Sequence, residues 1–217
     1  MEKSTDGYIS NVIYGFRPST VKSNRELYVT LVTFIVFNIS IQIYMPYLII
    51  YYEVSLALAN YVLIMAPAII LAAIFTAFWG KAYDKKGFDY SATVALLSLA
   101  AGFAVLYICR NTALVFIGSL LMMCGYLSGM AVFGAKIRDF TPDGYAGRLQ
   151  GVRIFSQVLV PGVVGPFIGK TILANAEMIV NNDGTTSFVP NANIFLGALV
   201  ALVPVIIVVL MGKKKKA

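Results

Sequence analysis

Asn38 and Gln42 lie four residues apart in Leu27–Tyr52, a stretch without a single Asp, Glu, Lys or Arg. On a helix that spacing puts both amides on one face. An amide in an apolar medium is costly unless it is paired. Two together therefore point to a polar cavity that binds a solute, or to a bond between helices, and both readings stand. Tyr126 and Gln157, in later apolar runs, are further candidates for solute binding, with Ser128 beside them. Catalysis finds no such constellation. The chain has no histidine, and its two cysteines, Cys109 and Cys124, fall at different expected depths. Acidic residues stand only at the ends of the apolar runs, so the sequence offers no metal-ligand set, no nucleophile paired with a base and no cofactor motif. It also lacks the mid-span ionisable group that marks a proton relay. An enzyme is not expected.

The second constellation is a charged loop. In "FWGKAYDKKGFDYS", residues 78–91, three lysines and two aspartates fall between Lys81 and Asp89. Gly80 would let two helices approach closely, and Gly87 can take the positive φ of a tight turn. Asp84 can accept hydrogen bonds from the free N–H groups that begin a neighbouring helix, favoured by that helix's dipole. An ordinary basic loop that sets topology is the plainer alternative.

The elements that must position these residues follow from composition. Of 217 residues, 59% are hydrophobic and 12% charged; soluble domains carry about 25% charge. Uncharged runs cover Leu27–Tyr52, Val54–Gly80, Tyr90–Cys109, Asn111–Ala135, Ile154–Gly169 and Ile194–Met211. A bilayer core about 30 Å thick needs about 20 apolar residues per helix. Between Leu27 and Gly80 the single charge is Glu53, so the chain must turn back near it. Six membrane-spanning helices are expected over 26–212, after a leader of residues 1–25 and before a basic tail of residues 213–217. Fifteen of the seventeen Lys and Arg fall in the leader, the second-to-third and fourth-to-fifth connections and the tail. This places both termini in the cytoplasm. The net charge of +7 then reports topology and attraction to anionic lipid, with no need for nucleic acid.

Finer expectations concern the joints. Tyr8, Ile9, Val12, Ile13 and Phe16 recur at the spacing of a short amphipathic helix, against the alternative of a disordered leader. "SNRE" at 23–26 has the spacing of a capping box, "TPDG" at 141–144 reads as a turn, and Asp183–Gly184 suggests a hairpin outside the membrane. Prolines interrupt four spans, at Pro46, Pro67, Pro161 with Pro166, and Pro204. Glycines at helical spacing (Gly125 and Gly129; Gly162, Gly165 and Gly169) suit close helix packing. The tyrosine-rich "IYMPYLIIYY" fits an interfacial aromatic belt or a binding surface.

Three motifs, in order, carry a resemblance. "GKAYDKKG", with Gly80, Asp84, Lys85 and Gly87, resembles the loop signature of the major facilitator superfamily between the second and third helices of a six-helix half. Phe88 and Asp89 stand where that pattern continues with basic residues. "GRLQGVR" at 147–153 is similar to the arginine-bearing loop before the fifth helix. "GPFIG", with Gly165, Pro166 and Gly169, resembles the packing motif of that helix, although Pro161 replaces a glycine one turn earlier. The leader is similar to the linker preceding the carboxy-terminal half of some bacterial members. The resemblance implies an all-α polytopic membrane protein, half of a major facilitator fold with its 3+3 inverted repeat, in the bacterial inner (plasma) membrane. It implies that Asp84 meets the start of the fifth helix, with Arg148 or Arg153 as second partner, in a cytoplasmic gate. It also implies that the first and fourth helices line the cavity while the second and fifth face another half. Two functions are then expected: a half-size secondary transporter that moves a small solute with a second copy or a separate amino-terminal half, or a non-transporting half that regulates a membrane partner.

Overall fold

The computed structural model describes residues 14–58, 60–180 and 184–214. Tyr8, Ile9, Val12 and Ile13 of the leader, Asp183 and the last residues of the basic tail lie outside them. The fold is all-helical apart from one small hairpin. Five helices are long and apolar enough to cross a membrane: Arg25–Ser55, Val62–Ile108, Thr112–Asp139, Ala146–Ile172 and Asn193–Gly212.

A 3-10 turn at Tyr14–Phe16 and a short helix, α1 (Pro18–Ser23), lead in. Helix α2 (Arg25–Tyr44) starts without the expected capping box. Ser23 ends α1, the N-cap is Asn24 with no side-chain cap, and the Asn24 amide donates back to the carbonyl of Thr20 at 3.0 Å. The local α1 turn has captured the capping residues. Beyond α2 the chain continues through a 3-10 turn at Met45–Tyr47, which holds Pro46, then a helical turn at Leu48–Ile50 and a π-helical stretch at Tyr51–Ser55. It then turns at 56–61, next to Glu53 as the charge pattern requires, with Ala57 at φ 50°.

Helix α3 (Val62–Ile108) has 47 residues, which drawn straight would reach about 70 Å, more than twice a bilayer core. It is not straight. Gly87 adopts φ 75° and ψ −180°, a region essentially closed to other residues, and the chain folds back there. The Trp79 ring lies 6.4 Å from that of Tyr90, and Trp79 Nε1 donates to the carbonyl of Ser91 at 3.3 Å.

Helix α4 (Thr112–Asp139) is the common wall. Its start is capped by the Asn111 side chain, which accepts from the N–H of Ala113. Residues 62–86 run parallel to α4, joined by Thr76 to Ser128 at 3.2 Å and by Tyr83 to Asp139 at 2.6 Å. Residues 88–108 run antiparallel to it, with Ser98 donating to the Leu121 carbonyl at 2.9 Å. A Cβ on Gly125 would come within 2.6 Å of Leu99 Cα, and one on Gly129 within 2.6 Å of the Phe37 ring. These glycines set the spacing of α4 from its neighbours on two sides.

The fourth of these long helices comprises α5 (Ala146–Ile154), a π-helical stretch at Phe155–Leu159 and α6 (Val160–Ile172). The turn before α5 is the expected one: Gly144 has φ 80°, and the N–H of Tyr145 donates to the Pro142 carbonyl at 3.1 Å. The expected hairpin also forms, β1 (Met178–Val180) pairing antiparallel with β2 (Thr186–Phe188). Helix α7 (Asn193–Lys214) closes the bundle. Gly197 approaches Ile172, and Gly212 reaches Asp89 at the other end.

Two aromatic clusters fill the core. Phe34, Phe37, Phe88 and Phe133 pack at centroid separations of 5.3–6.1 Å toward the Gly87 end. Tyr44, Tyr51, Phe103 and Phe195 pack toward the hairpin end. Tyr44, Tyr51 and Tyr52 are at most 1% exposed, so three tyrosines of "IYMPYLIIYY" form neither a belt nor an open binding surface. Their face of the helix turns inward. Tyr52 is hydrogen-bonded to Ser119 at 2.6 Å and Tyr51 donates to the Leu106 carbonyl at 3.4 Å, while the Tyr44 hydroxyl has no partner among the described residues.

Candidate functional site

The mid-bundle amides occupy distinct settings. Asn38 is 5% exposed, and its Nδ2 donates to the Phe34 carbonyl of its own helix at 2.8 Å. Gln42 is half-buried at the contact with α6, where a Cβ on Gly165 would overlap its Cβ and come within 2.8 Å of its carbonyl carbon. One turn on, a Cβ on Gly169 would come within 2.5 Å of the Ile43 carbonyl oxygen. Pro166 lies between these glycines, and its carbonyl accepts from the Tyr47 hydroxyl at 3.4 Å. "GPFIG" is therefore the surface by which α6 lies on α2.

Gln157 sits half-buried in the π stretch, and Tyr126 half-buried on α4. Neither glutamine forms a side-chain hydrogen bond to another described residue. Ser128 is engaged by Thr76 rather than by Asn38. A backbone feature links the glutamines. Pro46 and Pro161 have no N–H to give to the carbonyls four residues back, which are those of Gln42 and Gln157. Sequence reading noted both prolines and both glutamines without joining them. On two helices that pack together, the two side-chain amides then offer donors and acceptors to a polar solute.

At the Gly87 end, Asp84 is exposed and lines a cleft of about 190 Å³ with Gly80, Tyr83 and Arg138. The expected meeting of Asp84 with the start of the fifth helix does not occur within this chain. Residues 62–86 pack on α4, whereas α6 and the π stretch pack on α2 across the bundle and α5 packs on the leader turn. Arg148 lies over the rings of Tyr14 and Tyr145, with its guanidinium carbon 5.3 and 5.9 Å from their centroids. Arg153 lies beside Gly134 on α4. Gly80 brings no helix close, since a Cβ there would meet nothing within 4 Å. Lys85 is exposed on the loop, while Lys86 sits over the Tyr90 ring at 4.3 Å.

A different set fastens this end. Tyr83 donates to Asp139 Oδ2 at 2.6 Å, and Asp139 Oδ1 accepts from Arg138 at 3.3 Å in an ion pair. Tyr83 stands inside the charged loop, but nothing in its spacing announces a partner 56 residues away. Lys136 adds a cation over the Phe88 ring at 3.7 Å. Comparison with known proteins returns no match for this chain, whether with protein-family models, curated sequences or solved structures.

Proposed function

We propose that the chain is a six-span half of a major-facilitator-type secondary transporter, which moves a small polar or amphipathic solute by alternating access together with a second half. The observation that carries this reading is the reversal at Gly87. With α3 counted as two passes, the chain crosses six times, and both described ends lie with the basic loops. The loop glycine takes the positive φ that its place in the motif calls for. The uneven burial of the long helices supports a second half. Of the most apolar window, 61% is buried in Arg25–Ser55 and 56% in Thr112–Asp139, against 17% in Val62–Ile108 and 22% in Ala146–Ile172. The second and fifth spans are thus the ones with surface to offer another half. Asp84 is free to cap a helix there, which would place the gate between halves.

Solute binding is assigned to Gln42 and Gln157, with Tyr126 and Asn38 as supporting residues. The test is a transport screen in proteoliposomes with the chain alone and with candidate partner halves, followed by variants. Gln42→Ala should lower solute affinity with little loss of thermal stability, because its amide bonds no described residue. Asn38→Ala should cost mainly stability. Unchanged affinity in Gln42→Ala, with lowered stability, would make that residue a packing element and remove the site assignment.

A further inference from the structure

A second cleft, of about 250 Å³, opens at the Gly87 end between the start of α2, the end of α4 and the start of α5. Leu27, Leu31 and Leu149 form its apolar wall, and Arg138 and Arg153 supply its positive charge. Arg153 is the unusual member. It is half-buried, yet it makes no ion pair or hydrogen bond with any described residue. An unpaired guanidinium partly withdrawn from water is unfavourable unless an anion completes it. The guanidinium lies along α4 beside Gly134, one turn from Arg138. Arg138 spends Nε and Nη2 on Asp139 Oδ1 and keeps Nη1 free.

We propose that this cleft binds a phosphate group, held by the Arg153 fork with Arg138 as second donor. Arginine's planar donors match phosphate oxygens in pairs. The same chemistry is presented by the headgroup of an anionic phospholipid and by a soluble phosphate ester. The leucine wall gives the glycerol and first methylenes of a lipid a surface to follow, and basic pockets between membrane helices suit such headgroups. Asp143 also lines the cleft from its exposed turn and opposes an anion there. The site does not depend on the transport reading.

The experiment is native mass spectrometry of the purified full chain released from micelles, titrated with phosphatidylglycerol, with diacylglycerol and with glycerol 1-phosphate. Phosphatidylglycerol should be retained over diacylglycerol. Arg153→Gln should weaken that retention about ten- to a hundredfold, as expected for a lost charged hydrogen-bond pair. Arg153→Lys should restore part of it, and Asp143→Asn should tighten it. Lys170→Gln, at the opposite end of the bundle, should leave it unchanged. Competition by glycerol 1-phosphate at equal concentration identifies the soluble ester as the natural source, and its failure to compete identifies the lipid. Equal retention of phosphatidylglycerol and diacylglycerol overturns the proposal. So does an equal loss in Arg153→Gln and Lys170→Gln. If Arg153→Gln does not fold, the Asp143→Asn shift and the diacylglycerol comparison still decide.

Discussion

Replacing Gly87 by alanine tests the reversal in α3 with few confounding terms. A Cβ at this position would meet no atom within 4 Å, so no packing clash contributes. The cost is confined to the backbone, where φ 75° and ψ −180° lie in a region that costs a non-glycine residue about 1–3 kcal/mol. Gly80 is the matched control. It also meets nothing within 4 Å, but it sits in regular helix, where alanine is favoured over glycine by about 0.5–1 kcal/mol. Gly87→Ala should therefore destabilise and Gly80→Ala should slightly stabilise. Reversible unfolding of the purified chain in mixed micelles, followed by far-UV circular dichroism as denaturing detergent is raised, measures both. The double variant should return the sum within about 0.5 kcal/mol. A neutral Gly87→Ala, or a Gly80→Ala as damaging as Gly87→Ala, would show that the helix does not turn at Gly87 as described.

Two hydroxyl deletions separate satisfied from unsatisfied burial. Ser119 gives its proton to the Val115 carbonyl at 2.6 Å, so Tyr52 is the donor in their pair, and Tyr52→Phe should cost about 0.5–1.5 kcal/mol in the same unfolding assay. Tyr44→Phe removes a buried hydroxyl that has no partner among the described residues and should be neutral or stabilising; a larger loss there than in Tyr52→Phe would mean that another group binds the Tyr44 hydroxyl. In a chain whose Cys109 and Cys124 are first replaced by serine, cysteines at exposed Lys86 and Thr186 should label from opposite faces of the membrane. Labelling from one face would defeat the six-pass reading.

The ends of the helices were more legible in the sequence than their faces. Charge interruptions marked the turns at Glu53 and at Lys81–Asp89, because a charge in a bilayer is expensive and so reports where the chain leaves it. Gly87 was legible for a similar reason, since a tight reversal needs a residue without a Cβ. Faces were not. Lipid is as apolar as leucine, so an apolar run does not reveal which side meets protein. Tyr44, Tyr51 and Tyr52 consequently read as belt or binding surface and proved to be core. "SNRE" misled because α1, ending at Ser23, competes for the same residues. The Tyr83–Asp139–Arg138 set and the unpaired Arg153 depend on contacts between distant segments, which local spacing does not encode. Asp84 was drawn to the fifth helix by resemblance alone, and the bundle sets the two on opposite sides.

The π stretch at Phe155–Leu159 acts on the phase of everything after it. Along this segment the buried residues are Leu149, Val152, Ser156, Pro161, Gly165, Gly169 and Leu173. Their steps are three, four, five, four, four and four. In an α-helix a five-residue step overshoots a full turn by about 140° and would swing the glycines away from Gln42. The wider π turn, bonding each N–H five residues back, brings that step round to nearly the same side. One inserted residue thus lets the Leu149–Val152 face, which holds the leader at Gly15, and the Gly165–Gly169 face, which holds α2, address the same side of the bundle. Removing a single residue between Phe155 and Leu159 would regularise the hydrogen bonds and rotate one docking face by roughly 100° relative to the other.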